Sequence, residues 1–429
     1  MSGEANTSSD GSNFPLDQWD NARDEEVSMN MSDKEYPNRD ISNSVVISDH
    51  TDIGKINSLD ERVKYIAEMI SKFPRAYQRF EASDNISMND AFEVANILHT
   101  DRHVFEASEL YRLAFDLHDK QPNHYPLAQS LLQVRLLCLL KSGHDLPETE
   151  LIELDKLCIP YGNYLRGVRA AWQKNSLENA LNLIGNAFEE FHTGEEIDSI
   201  YLELAMKHTG RTIGCELNTP GNFIPYKMYM YWDKLPPQEI VDNFEYHKNL
   251  HDLPVKIFDR EEAAEWLYQK YGIEARELFL NARHPAEAAD FLRVHIINLL
   301  GGWWLDADLK LKKDNYQEFM KNFDKSGCYF TTSNNVIHND FFGSSSNSVV
   351  LNDCLLSLYR NNYLHKGLFI AYKTGPGIFN RALSRIYHNA LSIDPNFPSI
   401  EIYNQNDFDN YIEEFDTPYK HNTPHWQSV

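Results

Sequence analysis

From about Leu59 to Lys207, apolar residues recur every three or four positions, as in Ala91-Val94-Ala95-Leu98, Ala107-Leu110-Tyr111-Ala114 and Leu131-Val134-Leu137-Cys138. That spacing predicts helices with one apolar face, so residues 56–209 are expected to form an all-helical domain. Two stretches in it, Glu106 to Phe115 and Asn179 to Phe188, align at an offset of 73 residues. This is about twice the period of a tetratricopeptide helix pair. The unit between them does not match, so a TPR-like array and a plain helical bundle both fit. Gly210, Gly214, Pro220 and Gly221 then break the pattern, and the domain boundary is expected there. Beyond it, β-like runs (Lys227 to Trp232, Val255 to Phe258, Trp303 to Leu309, Cys328 to Thr331, Leu368 to Tyr372) alternate with helical stretches (Glu261 to Tyr271, Ala286 to Leu300, Val349 to Tyr359). Strands alternating with helices predict an α/β domain over residues 210–429.

Residues 1–55 show no such period. They are rich in Ser, Asn and Asp, with 12 acidic and 4 basic residues, and too little apolar surface to offset the entropy of ordering. An acidic disordered tail is expected, either solubilising or partner-binding. The whole chain of 429 residues is 42% hydrophobic and carries 64 acidic against 40 basic side chains, a net charge of −24. A general nucleic-acid binder or an anionic-membrane binder needs a basic footprint that this chain lacks. Any bound anion must be held by a local device such as a metal ion or a helix N-terminus. The cysteines Cys138, Cys158, Cys215, Cys328 and Cys354 are odd in number and widely spaced, which argues against a disulfide framework and a thiolate zinc site. No run of about 18 apolar residues exists, and Met1 to Asp10 does not read as a signal peptide. The expectation is a cytoplasmic protein, with peripheral membrane attachment or export without a cleaved signal as alternatives.

The chemistry concentrates between His284 and Asp308. Pro285 suits the first turn of a helix and Gly301 its end, so a helix of about four turns is expected to run straight into a strand. On it Asp290 and Arg293, three apart, share a face, while Leu292, Ile296 and Leu299 mark a buried one. In the strand, period two puts Trp303, Leu305, Ala307 and Leu309 on one side and Trp304, Asp306, Asp308 and Lys310 on the other. Asp306 and Asp308 would then lie about 6.5–7 Å apart and face one way, close enough to engage one divalent cation. An oxygen-only site selects Mg²⁺ or Mn²⁺, which keep positions open for diphosphate oxygens. An acidic pair is more often a solvated face; here it follows Gly-Gly and two tryptophans in a run that reads as buried, where an unpaired carboxylate costs several kcal/mol.

Asp290, Arg293 and Gly301-Gly302-Trp303-Trp304-Leu305-Asp306-Ala307-Asp308, in this order and spacing, resemble the pattern of the DXD-containing glycosyltransferases of family 32, and more distantly the clostridial glucosylating toxins. Ile224 to Trp232 resembles that family's opening strand with its terminal tryptophan, and Pro236-Pro237 the prolines after it. Asn339-Asp340-Phe341-Phe342-Gly343 and Thr374-Gly375-Pro376-Gly377 sit where similar short motifs occur. The resemblance spans residues 222–429 and leaves the helical half untouched.

It implies a GT-A-like, Rossmann-like fold, a UDP- or GDP-sugar donor, Mn²⁺ or Mg²⁺, and retention of anomeric configuration. Asp308 would ligate the metal directly. Asp306 would help hold it and contact ribose or sugar hydroxyls. Asp290 and Arg293 would bind the donor sugar, Trp232 would stack on the base, and Trp304 and Asn339 fall in the same donor site. Retention proceeds through a carboxylate nucleophile, for which Asp340 is the candidate, or by a front-face route without one. At the C-terminus His421 fits the family's additional metal ligand, though His425 stands where a serine is usual. The acceptor would be a polysaccharide, glycolipid or protein, with the helical domain positioning it or docking a protein partner. The alternative is an interaction scaffold whose helical repeats carry the function beside a silent α/β domain. Phosphate-loop, His-Glu-x-x-His and Gly-x-Ser-x-Gly motifs are absent.

Overall fold

The computed structural model describes residues 58–421 apart from 84, 123, 216–222, 251, 314–315 and 393–395. The acidic tail and His425 lie outside the described residues, as does the side chain of His421. The described chain divides into two compact units, one ending at Phe191 and one beginning at His192.

The first unit is helical: α1 (Leu59–Ile70), α2 (Pro74–Glu81), α3 (Met88–Thr100), α4 (Val104–Leu117), α5 (Ala128–Lys141), α6 (Glu148–Leu157), α7 (Ile159–Lys174) and α8 (Leu177–Ile184). Ser87 and Asp90 form a reciprocal capping box that starts α3, and the periodic residues Ala91, Val94, Ala95 and Leu98 are all buried. Inside, Arg135 on α5 pairs with Glu109 on α4 at 2.6 Å, both side chains nearly inaccessible. The two aligned stretches are not equivalent. The first lies within continuous α4, whereas the second is cut at Gly185, whose φ of 53° ends α8.

The second unit starts 18 residues before Gly210, the break expected from the sequence. Its first helix, α9 (Glu196–Thr209), carries Asp198, which meets Arg381 at 2.7 Å with both side chains fully buried. It continues with β1 (Thr212–Ile213), β2 (Met228–Tyr231), α10 (Gln238–Lys248), β3 (Val255–Phe258), α11 (Arg260–Tyr271), α12 (Ile273–Leu280), α13 (Pro285–Leu300), β4 (Gly302–Leu305), β5 (Leu309–Leu311), α14 (Tyr316–Asn322), β6 (Gly327–Phe330), β7 (Phe341–Ser344), α15 (Val349–Leu364), α16 (Ile370–Lys373), α17 (Pro376–Ser392), β8 (Ile400–Tyr403), α18 (Gln405–Tyr411) and β9 (Ile412–Glu414). This is an α/β unit. Its seven-stranded mixed sheet runs β1-β8-β6-β7-β4-β2-β3, and β5 pairs with β9 in a separate two-stranded sheet. β2 is parallel to both β3 and β4. The strand order therefore reverses at β2, and in open α/β sheets a crevice opens at the carboxyl ends of the strands beside such a reversal.

Three expectations need correction. The run Trp303 to Leu309 is not one strand: β4 stops at Leu305, and residues 306–308 turn, with Leu309 N–H donating to Asp306 O at 3.1 Å. Leu368 to Tyr372, expected as β, runs into helix α16. Leu299 is 42% exposed, although Leu292 and Ile296 are fully buried. The Gly-Gly hinge is required by space. Gly301 and Gly302 have φ of 62° and 120°, and a Cβ on Gly302 would come within 2.9 Å of Lys227 O. With no side chains there, α13 passes directly into β4.

Candidate functional site

The carboxyl end of β4 opens on a cavity of about 290 Å³ lined by Asp290, Arg293, Asp306, Asp308, Asn339 and Asp340, with Lys420 among its other walls. Asp290 and Arg293 come from the same face of α13, as their spacing predicts. Arg293 is the hub. Its Nη2 donates to Asp306 Oδ1 and Oδ2 at 2.9 and 3.1 Å and lies 3.2 Å from Asp290 Oδ1, while Nη1 donates to Asn339 O at 2.6 Å. Asn339 Nδ2 and Thr374 Oγ1 donate to the two oxygens of Asp290 at 2.8 and 3.0 Å. Asp290 is thus tied into the wall on both sides. Burial pushes its carboxyl up to about 6, partly opposed by Arg293 and Thr374.

Asp306 and Asp308 do face the same cavity, but a turn rather than strand alternation directs them. Asn243 on α10, itself buried, fixes that turn: its Nδ2 donates to both Ala307 O and Leu309 O at 2.8 Å. His247, one turn further along α10, accepts from Leu311 N–H at 3.2 Å and meets Asn243 O at 2.9 Å. Asp306 also receives Trp304 Nε1 at 2.7 Å, and its backbone N–H donates to Asp340 O at 2.8 Å. The enclosing walls raise its pKa to about 7; Arg293 opposes the shift, and Asp308 and Asp340 add to it. Asp308 is held less tightly. Lys420 Nζ lies 2.8 Å from its Oδ2, and Tyr419 OH reaches the same oxygen at 3.5 Å.

Asp340 opens on the cavity beside Asp306. Burial raises its pKa, but His338 and Arg293 outweigh that and hold it below the usual carboxylate range. Trp232, just past β2, is half-buried, with Tyr419 edge-on at 5.2 Å and its indole N–H donating to Lys234 O at 2.6 Å. It is not on the cavity wall. Trp304 is not there either: it is fully buried, with Arg293 5.4 Å from its ring, so it supports Asp306 from behind rather than facing a ligand. Sequence reasoning missed Asn243, His338, Thr374, Tyr419 and Lys420. Only Thr374 stood inside a flagged motif; the others carry no local signal.

Five carboxylates, Asp290, Asp306, Asp308, Asp340 and Glu414, line one cavity, and an ammonium sits against Asp308. Arg293 already engages Asp290 and Asp306, and His338 engages Asp340, and among the described residues no three of these carboxylates bring ligand oxygens together. A second group, His118, Asp119 and His124 in the helical unit, brings ligand atoms within 4.8 Å of one another. It is a poor metal site, because His118 spends both ring nitrogens on the backbone: Nδ1 accepts from Lys120 N–H at 2.7 Å and Nε2 meets His124 O at 3.0 Å. No helix among the described residues is long and apolar enough to cross a membrane.

The chain matches no protein-family profile and no curated protein. A solved structure named "PaToxG Glycosyltransferase" is similar over 44% of this chain and 78% of that one, at 16% identity and a TM-score of 0.31.

Proposed function

We propose that the α/β unit is a GT-A-like, metal-dependent, retaining glycosyltransferase that moves a sugar from a nucleotide-sugar donor to a carbohydrate, glycolipid or protein acceptor. The observation that carries this reading is the set of three carboxylates, Asp290, Asp306 and Asp340, around buried Arg293, with Asp308 beside them, at the carboxyl end of β4, the strand next to the one where the order reverses. Such a crevice takes nucleotides in open α/β sheets, and its acidity calls for a cation between protein and diphosphate.

Asp308, with Asp306 behind it, would hold Mn²⁺ or Mg²⁺. When bound, the ion offsets the negative charge that develops on the departing diphosphate. Arg293 keeps the Asp306 carboxylate oriented by donating to both its oxygens. Asn243 holds the turn between the two aspartates in register. Trp232 lies off the cavity wall beside Tyr419, and it would stack on the base only where the nucleotide extends beyond that wall. Asp340 and Asn339 supply polar atoms for the sugar. With Arg293 and His338 both drawing on its charge, Asp340 suits accepting a hydroxyl hydrogen better than attacking carbon.

The test is a screen of UDP- and GDP-sugars for slow hydrolysis by the full chain with Mn²⁺, which reports the donor without needing the acceptor. Hydrolysis of one donor that stops in EDTA is the expected result. No hydrolysis of any donor, together with no nucleotide binding by calorimetry, would end this reading.

A further inference from the structure

His338 stands three residues before β7 and is not part of the expected site. Its backbone N–H donates to Phe330 O at 2.8 Å, which fixes the chain, and its ring lies flat on Phe408 of α18 with centroids 3.9 Å apart and 12° between planes. Nδ1 is 3.1 Å from Asp340 Oδ1 and 3.5 Å from Oδ2. On the other side Nε2 is 3.0 Å from Gln405 Oε1. The Gln405 amide is not free to turn over, because its Nε2 donates to Asp409 Oδ1 at 2.9 Å. Its oxygen therefore faces the imidazole.

Both ring nitrogens of His338 thus face acceptors. A neutral imidazole has one N–H and one lone pair, so either neutral tautomer would oppose two lone pairs at one of these contacts. The imidazolium satisfies both. The charged groups around it agree: Asp340 on its own segment and Asp409 on α18 both favour the protonated ring, while the cation Arg293 spends Nη1 on the neighbouring Asn339 O at 2.6 Å. The ring is 11% exposed, so water contributes little to holding the proton there.

We propose that His338 is a positioning residue, an imidazolium clamped between Gln405 and Asp340 that fixes the Asp340 carboxylate as an acceptor for a hydroxyl of the donor sugar. The proposal rests on the glycosyltransferase reading of this cavity. The chain Asp409, Gln405, His338, Asp340 spans α18 to the cavity wall and keeps the last carboxylate from rotating. An oriented acceptor of this kind distinguishes the sugar of the donor from the nucleotide part, which Asp340 need not touch.

Two measurements on the full chain test it. In ¹⁵N-histidine spectra, with His338 assigned by its loss in His338→Gln, both ring nitrogens should show protonated shifts at neutral pH, and Asp340→Asn should return one of them to the unprotonated range. A neutral His338 in the wild type overturns the clamp whatever the activity. In the donor screen, His338→Gln should lower hydrolysis of the nucleotide sugar about tenfold or more while leaving affinity for the free nucleoside diphosphate with Mn²⁺ within about twofold. A protonated His338 with full activity in the variant makes the residue purely structural and overturns the positioning role, leaving the glycosyltransferase reading intact. A wild type that hydrolyses no nucleotide sugar and binds no nucleotide removes that reading and the positioning role together. Near-ultraviolet circular dichroism of the variant, expected to match the wild type, excludes misfolding as the cause of lost activity.

Discussion

Lys420 Nζ lies 2.8 Å from Asp308 Oδ2, so the carboxylate proposed to ligate the metal is paired with an ammonium from the C-terminal segment. The two cations compete for one oxygen. Lys420→Gln should therefore tighten Mn²⁺ binding, read by electron paramagnetic resonance of the free ion, by about two- to fivefold, the worth of a partly exposed ion pair. Asp308→Asn should abolish Mn²⁺-dependent hydrolysis. Because Asp308 is 26% exposed in its side chain and not buried against a like charge alone, its urea stability should change by less than about 1 kcal/mol. Unchanged hydrolysis in Asp308→Asn, or in excess EDTA, would dismiss the metal.

Arg293 serves fold and site together. Removing it leaves Asp290 and Asp306 in the wall without their cation and Asn339 O without a donor. Arg293→Ala should cost about 3–5 kcal/mol in urea unfolding, as for a broken buried pair, besides losing activity. Arg293→Lys keeps the charge but not the fork that reaches three acceptors, so it should recover much of the stability and little of the rate. Equal recovery of both would make Arg293 a structural residue only.

The position of α9 decides where the α/β unit can be cut. A fragment of residues 192–429 retains the Asp198–Arg381 pair and should unfold cooperatively. One of residues 210–429 takes away the carboxylate from a fully buried guanidinium and should be less stable by about 3–5 kcal/mol. Comparable circular dichroism melting curves for the two fragments would contradict the assignment of α9 to this unit.

Glu195, at the start of α9, has its pKa raised to about 7, by burial first and by Asp198, against the opposing His192 N–H and Arg381. A carboxyl whose folded pKa exceeds its unfolded value binds its proton more tightly when folded. Its stabilisation is complete below about pH 4.5 and is lost as pH rises through about 7. Relative to Glu195→Gln, which keeps the acceptor for His192 N–H but cannot titrate, the wild type should lose stability across this window. Parallel stability profiles for the two proteins would show that Glu195 is not perturbed.

Local pattern alone determined the helical and α/β halves, β2 and β3, the start of α13 at Pro285 and its end at the Gly-Gly hinge, and the shared face of Asp290 and Arg293. These depend on propensity, capping and spacing within one or two turns, all of which short-range sequence encodes. It misjudged what a longer-range contact overrides. The expected strand through Asp306 and Asp308 is broken because Asn243, 64 and 66 residues away, claims the carbonyls on either side of Asp308. The boundary at Gly210 marks a real change of composition, yet α9 is held beyond it by a partner 183 residues on. Trp304 alternates to the same side as the aspartates but ends beneath Asp306, since a carboxylate inside a wall needs a donor as well as a cation. The tertiary structure alone joined Asp290 to Thr374 and Asp308 to Tyr419, across 84 and 111 residues. It also set His338 between Gln405 and Asp340. A single sequence carries no periodicity for such pairs, because their partners come together only once the sheet has folded.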